Sequence, residues 1–264
     1  MTSQKVLDWW LEMPPPDEEL VFDDGEPMDS PEHRANAAIL VDVARKHYEA
    51  RDDVYVGANE ARYFSSIQAK NRDFRAPDFF VVLGCDGKAY RKGWVVWNEG
   101  GKVPDLIIEL LSPTTEDADR TVKFDTYRRL NVGEYVLFDV LTDSLEGYTL
   151  ENRNYVPMPT DNHGHLKCAS LGLSLGLWPG DFQGTERNWL RFFHPDGRIA
   201  PTFAEAESQR AEAESQRAKA ESQRAEAESQ RAAAEAKKNA DLLARLAAYE
   251  SRFGSLAPSG DVDP

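Results

Sequence analysis

Cysteine is scarce in this chain: Cys85 and Cys168 are the two among 264 residues. Two cannot build a disulfide framework, and neither stands in a spacing that resembles a zinc site. Long apolar runs are also missing, and none approaches the roughly 18 residues of a membrane span. The first twenty residues lack the basic and apolar regions of a signal peptide. Positive charge is in deficit, with 31 Lys and Arg against 46 Asp and Glu and a formal net charge of −15. These absences leave a soluble, cytoplasmic protein as the expectation.

The acidity is concentrated at the two ends. Residues 1–30 carry nine acids and one base, and residues 201–264 carry twelve acids and nine bases. Between them, 25 acids face 21 bases, so the middle is close to neutral. The overall charge therefore does not exclude a nucleic-acid partner; local basic clusters decide that question. Hydrophobic residues make up 41% of the chain, enough for a sizeable core. The length suits one or two domains.

Four regions are expected: an acidic leader over 1–30, a globular domain over 31–200, a charged repeat helix over 201–253 and a disordered tail over 254–264. Ser30-Pro31 opens the globular part as a helix start, with serine to cap and proline in the first turn. That helix is expected to end near Arg51. Val54–Val56 and Ala61–Phe64 are short strand candidates. The compact apolar runs Phe79–Leu83 and Leu106–Leu111 read as buried central strands, with a loop excursion over 84–102 between them. A helix from Thr114 to about Leu130, followed by a strand over Glu134–Asp139, completes a βαβ crossover. Residues 140–200 read as antiparallel structure, with a hairpin at Asp196-Gly197. From Ala204 a seven-residue unit, AEAESQR with one Lys variant, runs four times in register. Glu and Arg three and four apart form a ladder of opposite charges, worth about 0.2–0.5 kcal/mol per pair, so a single helix to about Tyr249 is expected. Leu242, Leu246, Tyr249 and Phe253 form a short apolar stripe at its end, where a coiled coil could pair.

Two carboxylates stand out by their neighbours. Asp78 immediately precedes Phe79-Phe80-Val81-Val82, and Glu109 interrupts Leu106-Ile107-Ile108 and Leu110-Leu111. A carboxylate inside a central strand needs a compensating cation, proton or metal. A buried salt bridge would serve. A shared metal would serve too, and hard oxygen ligands select Mg2+ or Mn2+. Asp119, Lys123 and Tyr127, four apart, share one stripe of the helix after the Glu109 strand. Lys70, Arg72, Arg75, Arg120, Arg128 and Arg129 flank these positions and could grip phosphates or simply be solvated. His163 and His165 fall in a Gly/Asn loop and read as surface residues.

Ala76-Pro77-Asp78 with its strand, Val103–Thr115, Lys123-x3-Tyr127, Gly133-Glu134-Tyr135 and Phe138-Asp139 together resemble the Uma-two type of restriction endonuclease, within the PD-(D/E)XK nuclease superfamily. Ser30-Pro31-Glu32-His33 resembles the opening helix of that family. The resemblance covers roughly residues 30–200. It implies an α/β (α+β) fold: a restriction-endonuclease-like mixed sheet flanked by helices, here with a long C-terminal helix. It also implies an endonuclease that hydrolyses DNA phosphodiester bonds with Mg2+ or Mn2+. Asp78 and Glu109 match the acidic metal ligands, with the backbone carbonyl of Leu110 as a third donor. The usual Lys two residues after the second acid falls on Leu111, and Lys123 matches the Lys that replaces it. Tyr127 and Asp139 match the pattern as packing or supporting residues, and Glu32 could add a carboxylate or be an ordinary first-turn acid. A catalytically inactive nuclease fold, used as a binding module with the helix as its interaction arm, is the alternative. A second copy or another protein could pair through that helix.

Overall fold

The computed structural model describes residue 20 and residues 30–60, 62–64, 76–113 and 115–254. The segments Met1–Glu19 and Val21–Asp29, most of the expected leader, lie outside the described residues, as does the expected tail beyond Gly254. The chain divides into two units, one to Ala204 and one from Glu205.

The first helix, α1, spans Pro31–His47. Ser30 is extended there, and its side-chain oxygen accepts the His33 N–H at 3.3 Å, satisfying one of the free donors of the first turn. The helix stops at Tyr48 rather than near Arg51, after Arg45, Lys46 and His47 in its last turn. Ile39, Leu40, Val43 and Ala44 make its buried face.

A six-stranded mixed sheet forms the centre. Its strands are β1 (Val54–Gly57), β3 (Phe79–Leu83), β5 (Leu106–Leu111), β6 (Glu134–Asp139), β7 (Ser144–Glu151) and β8 (Asn154–Pro157), in that spatial order. β5 and β6 run parallel; the other neighbours are antiparallel. The parallel pair is joined through helical structure, so the expected βαβ crossover is present. Strands buried on both faces read as continuous apolar runs, which is why β3 and β5 stand out in the sequence. One face packs Phe79, Val81, Ile108, Leu110, Val136 and Phe138 with α1. The opposite face packs Phe80, Val82, Ile107, Leu111, Tyr135 and Leu137 with Tyr127 and Trp94.

Two smaller sheets were less visible in the sequence. β2 (Arg62–Tyr63) and β4 (Trp94–Val95) pair in parallel, so the excursion over 84–102 contains structure. Trp94 is fully buried, and Leu20 packs with Tyr63 and Val95, so this part of the leader belongs to a core. β9 (Leu166–Cys168), β10 (Leu173–Phe182) and β11 (Thr185–Phe193) form a separate antiparallel sheet. The expected turn at Asp196-Gly197 closes, with the His194 N–H on Arg198 O at 2.8 Å, but its return limb is a single bridge, Phe193 to Ile199. The long hairpin turns instead at Gln183-Gly184, both at positive φ.

The last helix, α4, spans Phe203–Phe253. It lies within the expected 201–253 region and extends past the narrower Ala204–Tyr249 at both ends. Every side chain from Glu207 to Phe253 is exposed, so its helicity rests on local propensity and the charge ladder. Removing residues 208–264 is expected to move the thermal midpoint of the globular unit by less than about 2 °C. A drop of more than about 5 °C in a melting scan would show that the helix supports the fold. No helix among the described residues is long and apolar enough to cross a membrane.

Candidate active site

All six residues of β5 are buried, and Glu109, 1% exposed, is the charged one among them. Its side chain projects to the face that carries Ile107 and Leu111. The register brings Asp78 to it: β3 pairs with β5 only through Phe79–Val81 and Leu106–Ile108. Beyond Phe79 the ladder stops at Pro77-Asp78, and the Asp78 carboxylate takes the place of a strand partner. Its Oδ2 accepts the Leu110 N–H at 2.7 Å. The Asp78 and Glu109 carboxyl groups are close enough for each to shift the ionisation of the other.

The segment after β5 completes the cluster. It is not the single regular helix expected from the sequence but three pieces: α2 (Glu116–Ala118), a π-helical turn (Asp119–Lys123) and α3 (Phe124–Arg129). π turns are rare and occur often at functional sites. Lys123 Nζ is 3.1 Å from Glu109 Oε2 and 2.6 Å from Asp119 Oδ1. The fully buried Tyr127 donates its hydroxyl to Glu109 Oε1 at 3.0 Å. Lys123 and Tyr127 of the stripe therefore converge on Glu109, and Asp119 is linked to it through Lys123.

The electrostatics follow from the burial. Loss of solvent pushes Glu109 up to about 8, the neighbouring Asp78 and Asp119 add to the rise, and Lys123 opposes it. Loss of solvent likewise pushes Asp78 up to about 6, against the Leu110 N–H and Lys123, which favour its ionised form. Burial would lower Lys123, but Glu109 and Asp119 outweigh it and hold the ammonium charged. Burial therefore favours a proton on Glu109, and to a lesser extent on Asp78, beside the charged Lys123.

Other candidates stand elsewhere. Glu32 faces Arg187 at 3.8 Å and is hydrogen-bonded to Ser30, so the structure does not bring it into the cluster. Asp139 ends β6 and caps the following turn, accepting the Leu141 N–H at 2.9 Å and the Thr142 hydroxyl at 2.6 Å. Leu111, where a Lys would stand, is buried in the core. Arg120 is paired with Glu116 and Glu146, and Arg128 and Arg129 with Asp125, so these arginines are already engaged. Lys70, Arg72 and Arg75 lie outside the described residues. His165 is half-buried, stacked on Phe193 at 4.0 Å.

Two residues without a role at the sequence level enter the site. His33, 5% exposed, donates Nε2–H to the Leu110 carbonyl oxygen at 3.0 Å and lies 3.2 Å from Leu111 O. No local pattern signals this contact across 77 positions of the chain. Asp119 is 1% exposed, and its four-residue spacing from Lys123 was the available signal.

Among known proteins, the sequence model of the Uma2 family, described as "Putative restriction endonuclease", matches residues 8–183. The chain belongs to this family. The Uma2 match spans the whole candidate site, Asp78 to Tyr127. Among solved structures, a "putative nuclease belonging to DUF820" from Anabaena variabilis ATCC 29413 is similar at 18% identity with a TM-score of 0.38. The match covers 62% of this chain and 96% of that one. No curated protein matches the chain.

The donor set suits a hard divalent cation. Among the described residues no three Asp, Glu, His or Cys side chains converge so as to hold a metal ion. Two carboxylates do converge, beside a backbone carbonyl. Mg2+ is commonly bound in this way, through one or two carboxylates, with waters and substrate phosphates filling the remaining positions. A divalent cation there would take the place of the proton that burial favours on Glu109 and Asp78.

Proposed function

We propose that the protein is a divalent-metal-dependent endonuclease that hydrolyses DNA phosphodiester bonds. The observation that carries this reading is the carboxylate pair of half-buried Asp78 and buried Glu109, with Lys123 in contact with Glu109 at the point where β3 stops pairing. Asp78, Glu109 and the Leu110 carbonyl would hold Mg2+ or Mn2+. A bound divalent ion supplies Lewis acidity toward a phosphate oxygen and lowers the pKa of a bound water. The Leu110 N–H fixes Asp78, and the Tyr127 hydroxyl fixes Glu109, so neither carboxylate must reorganise during the reaction. The Lys123 ammonium would face charge developing on the phosphate and take the role of the Lys absent at Leu111. His33 already donates to the Leu110 carbonyl, which has a second lone pair to offer. The exposed stripe of Leu242, Leu246, Tyr249 and Phe253 is the surface through which the C-terminal helix would join a second copy or another protein.

The test is cleavage of supercoiled plasmid DNA with Mg2+ or Mn2+. Nicked or linear product is expected from the wild type and none from Asp78→Ala or in EDTA. Intact plasmid, with Mn2+ binding retained in calorimetry, would favour the catalytically inactive binding module instead.

A further inference from the structure

Three carboxylates around one ammonium are more than a structural salt bridge needs. Asp119 is the least accounted for: it is buried, it belongs neither to the metal-ligand pair nor to the strands, and it holds the shorter contact to Lys123, 2.6 Å against 3.1 Å for Glu109. Its backbone is pinned on both sides, with its N–H on Thr115 O at 2.9 Å and its carbonyl accepting the Tyr135 hydroxyl at 3.0 Å. The π turn places Asp119 and Lys123 at its two ends. Tyr127 occupies Glu109 Oε1, so Oε2 is the oxygen that Lys123 contests with any cation arriving at the site.

We propose that Asp119 is a positioning residue that anchors Lys123 through its shorter contact, so that Glu109 Oε2 can bind a divalent cation while the ammonium stays beside it. This rests on the metal-dependent reading of the site. Charge balance supports it. With Asp119, three carboxylates match one ammonium and one divalent ion. Without it, the same two cations face two carboxylates and carry one excess positive charge in a buried space, so each tends to expel the other.

A double-mutant cycle on Mn2+ affinity, read by calorimetry without DNA, tests this. Asp119→Asn is expected to weaken Mn2+ at least about 10-fold when Lys123 is present, and less than about threefold in a Lys123→Met background. Asp119→Glu keeps the charge and is expected to stay within about threefold of the wild type. Equal losses in the two backgrounds, or no loss when Lys123 is present, would overturn the assignment while leaving the metal site intact. Absence of Mn2+ binding by the wild type would overturn both it and the metal-dependent reading. Circular dichroism checks the fold of each variant. If Asp119→Asn does not fold, the comparison passes to Asp119→Glu, where a 10-fold loss refutes the anchor.

Discussion

Glu109→Gln is expected to lower metal-dependent cleavage by at least about 1,000-fold, equivalent to about 4 kcal/mol of barrier. It should also raise the thermal midpoint of the metal-free protein at pH 8. The two effects share one cause. Burial pushes Glu109 up to about 8 in the folded protein, whereas an unfolded chain ionises its glutamates near 4.3. Between these values the folded state holds a proton that the unfolded state has released. The stabilising contribution is therefore complete below about pH 4 and is lost as pH rises through about 8. Asp78, pushed up to about 6, acts in the same direction over roughly pH 4–6. Gln is neutral throughout and keeps what Glu loses. Melting scans in EDTA from pH 5 to pH 8 should show a falling midpoint for the wild type and a flatter one for Glu109→Gln. Mn2+ should restore the wild type at pH 8 and leave the variant unmoved. Equal slopes for the two proteins would mean that Glu109 ionises as an ordinary carboxylate, and the account of the cluster would fail.

Lys123→Ala is expected to reduce cleavage about 100-fold or more, about 2.7 kcal/mol of barrier, with Mn2+ affinity unchanged or higher. The ammonium is largely buried against Glu109 and Asp119, so its charge is poorly screened. Arg128→Ala is the control. Arg128 lies one helical turn further on, is paired with Asp125 at 2.6 Å and donates to Arg153 O at 3.1 Å. Its loss should cost less than about threefold. Similar losses for the two variants, measured on one plasmid substrate, would reduce Lys123 to a structural partner of Glu109.

The central strands were legible because burial on both faces demands uninterrupted apolar residues, and Phe79–Leu83 and Leu106–Leu111 supply them. Glu109 was conspicuous for the same reason: it is an acid in a setting where acids are costly. The Ser30 cap and the exposed repeat helix were legible because both depend on neighbours a few residues away. The sheet of β9 to β11 was blurred. Its outer residues are half-exposed and alternate weakly, and its hairpin turn at Gln183-Gly184 puts a glutamine at positive φ. The π turn has no sequence signature, since it inserts no glycine or proline. His33 was silent because its partner is a backbone carbonyl, which every residue possesses.

The repeat helix carries a geometric consequence of its own. Its 51 residues extend for about 76 Å, and one AEAESQR unit advances by about 10.5 Å. A partner helix displaced by one unit would meet nearly the same order of charges, with Lys219 the single exception. The repeats therefore offer attraction without an address, like a scale whose divisions carry no numerals. Lys219 and the unrepeated stretch after Arg231, where Leu242, Leu246, Tyr249 and Phe253 stand, are what break the translational degeneracy.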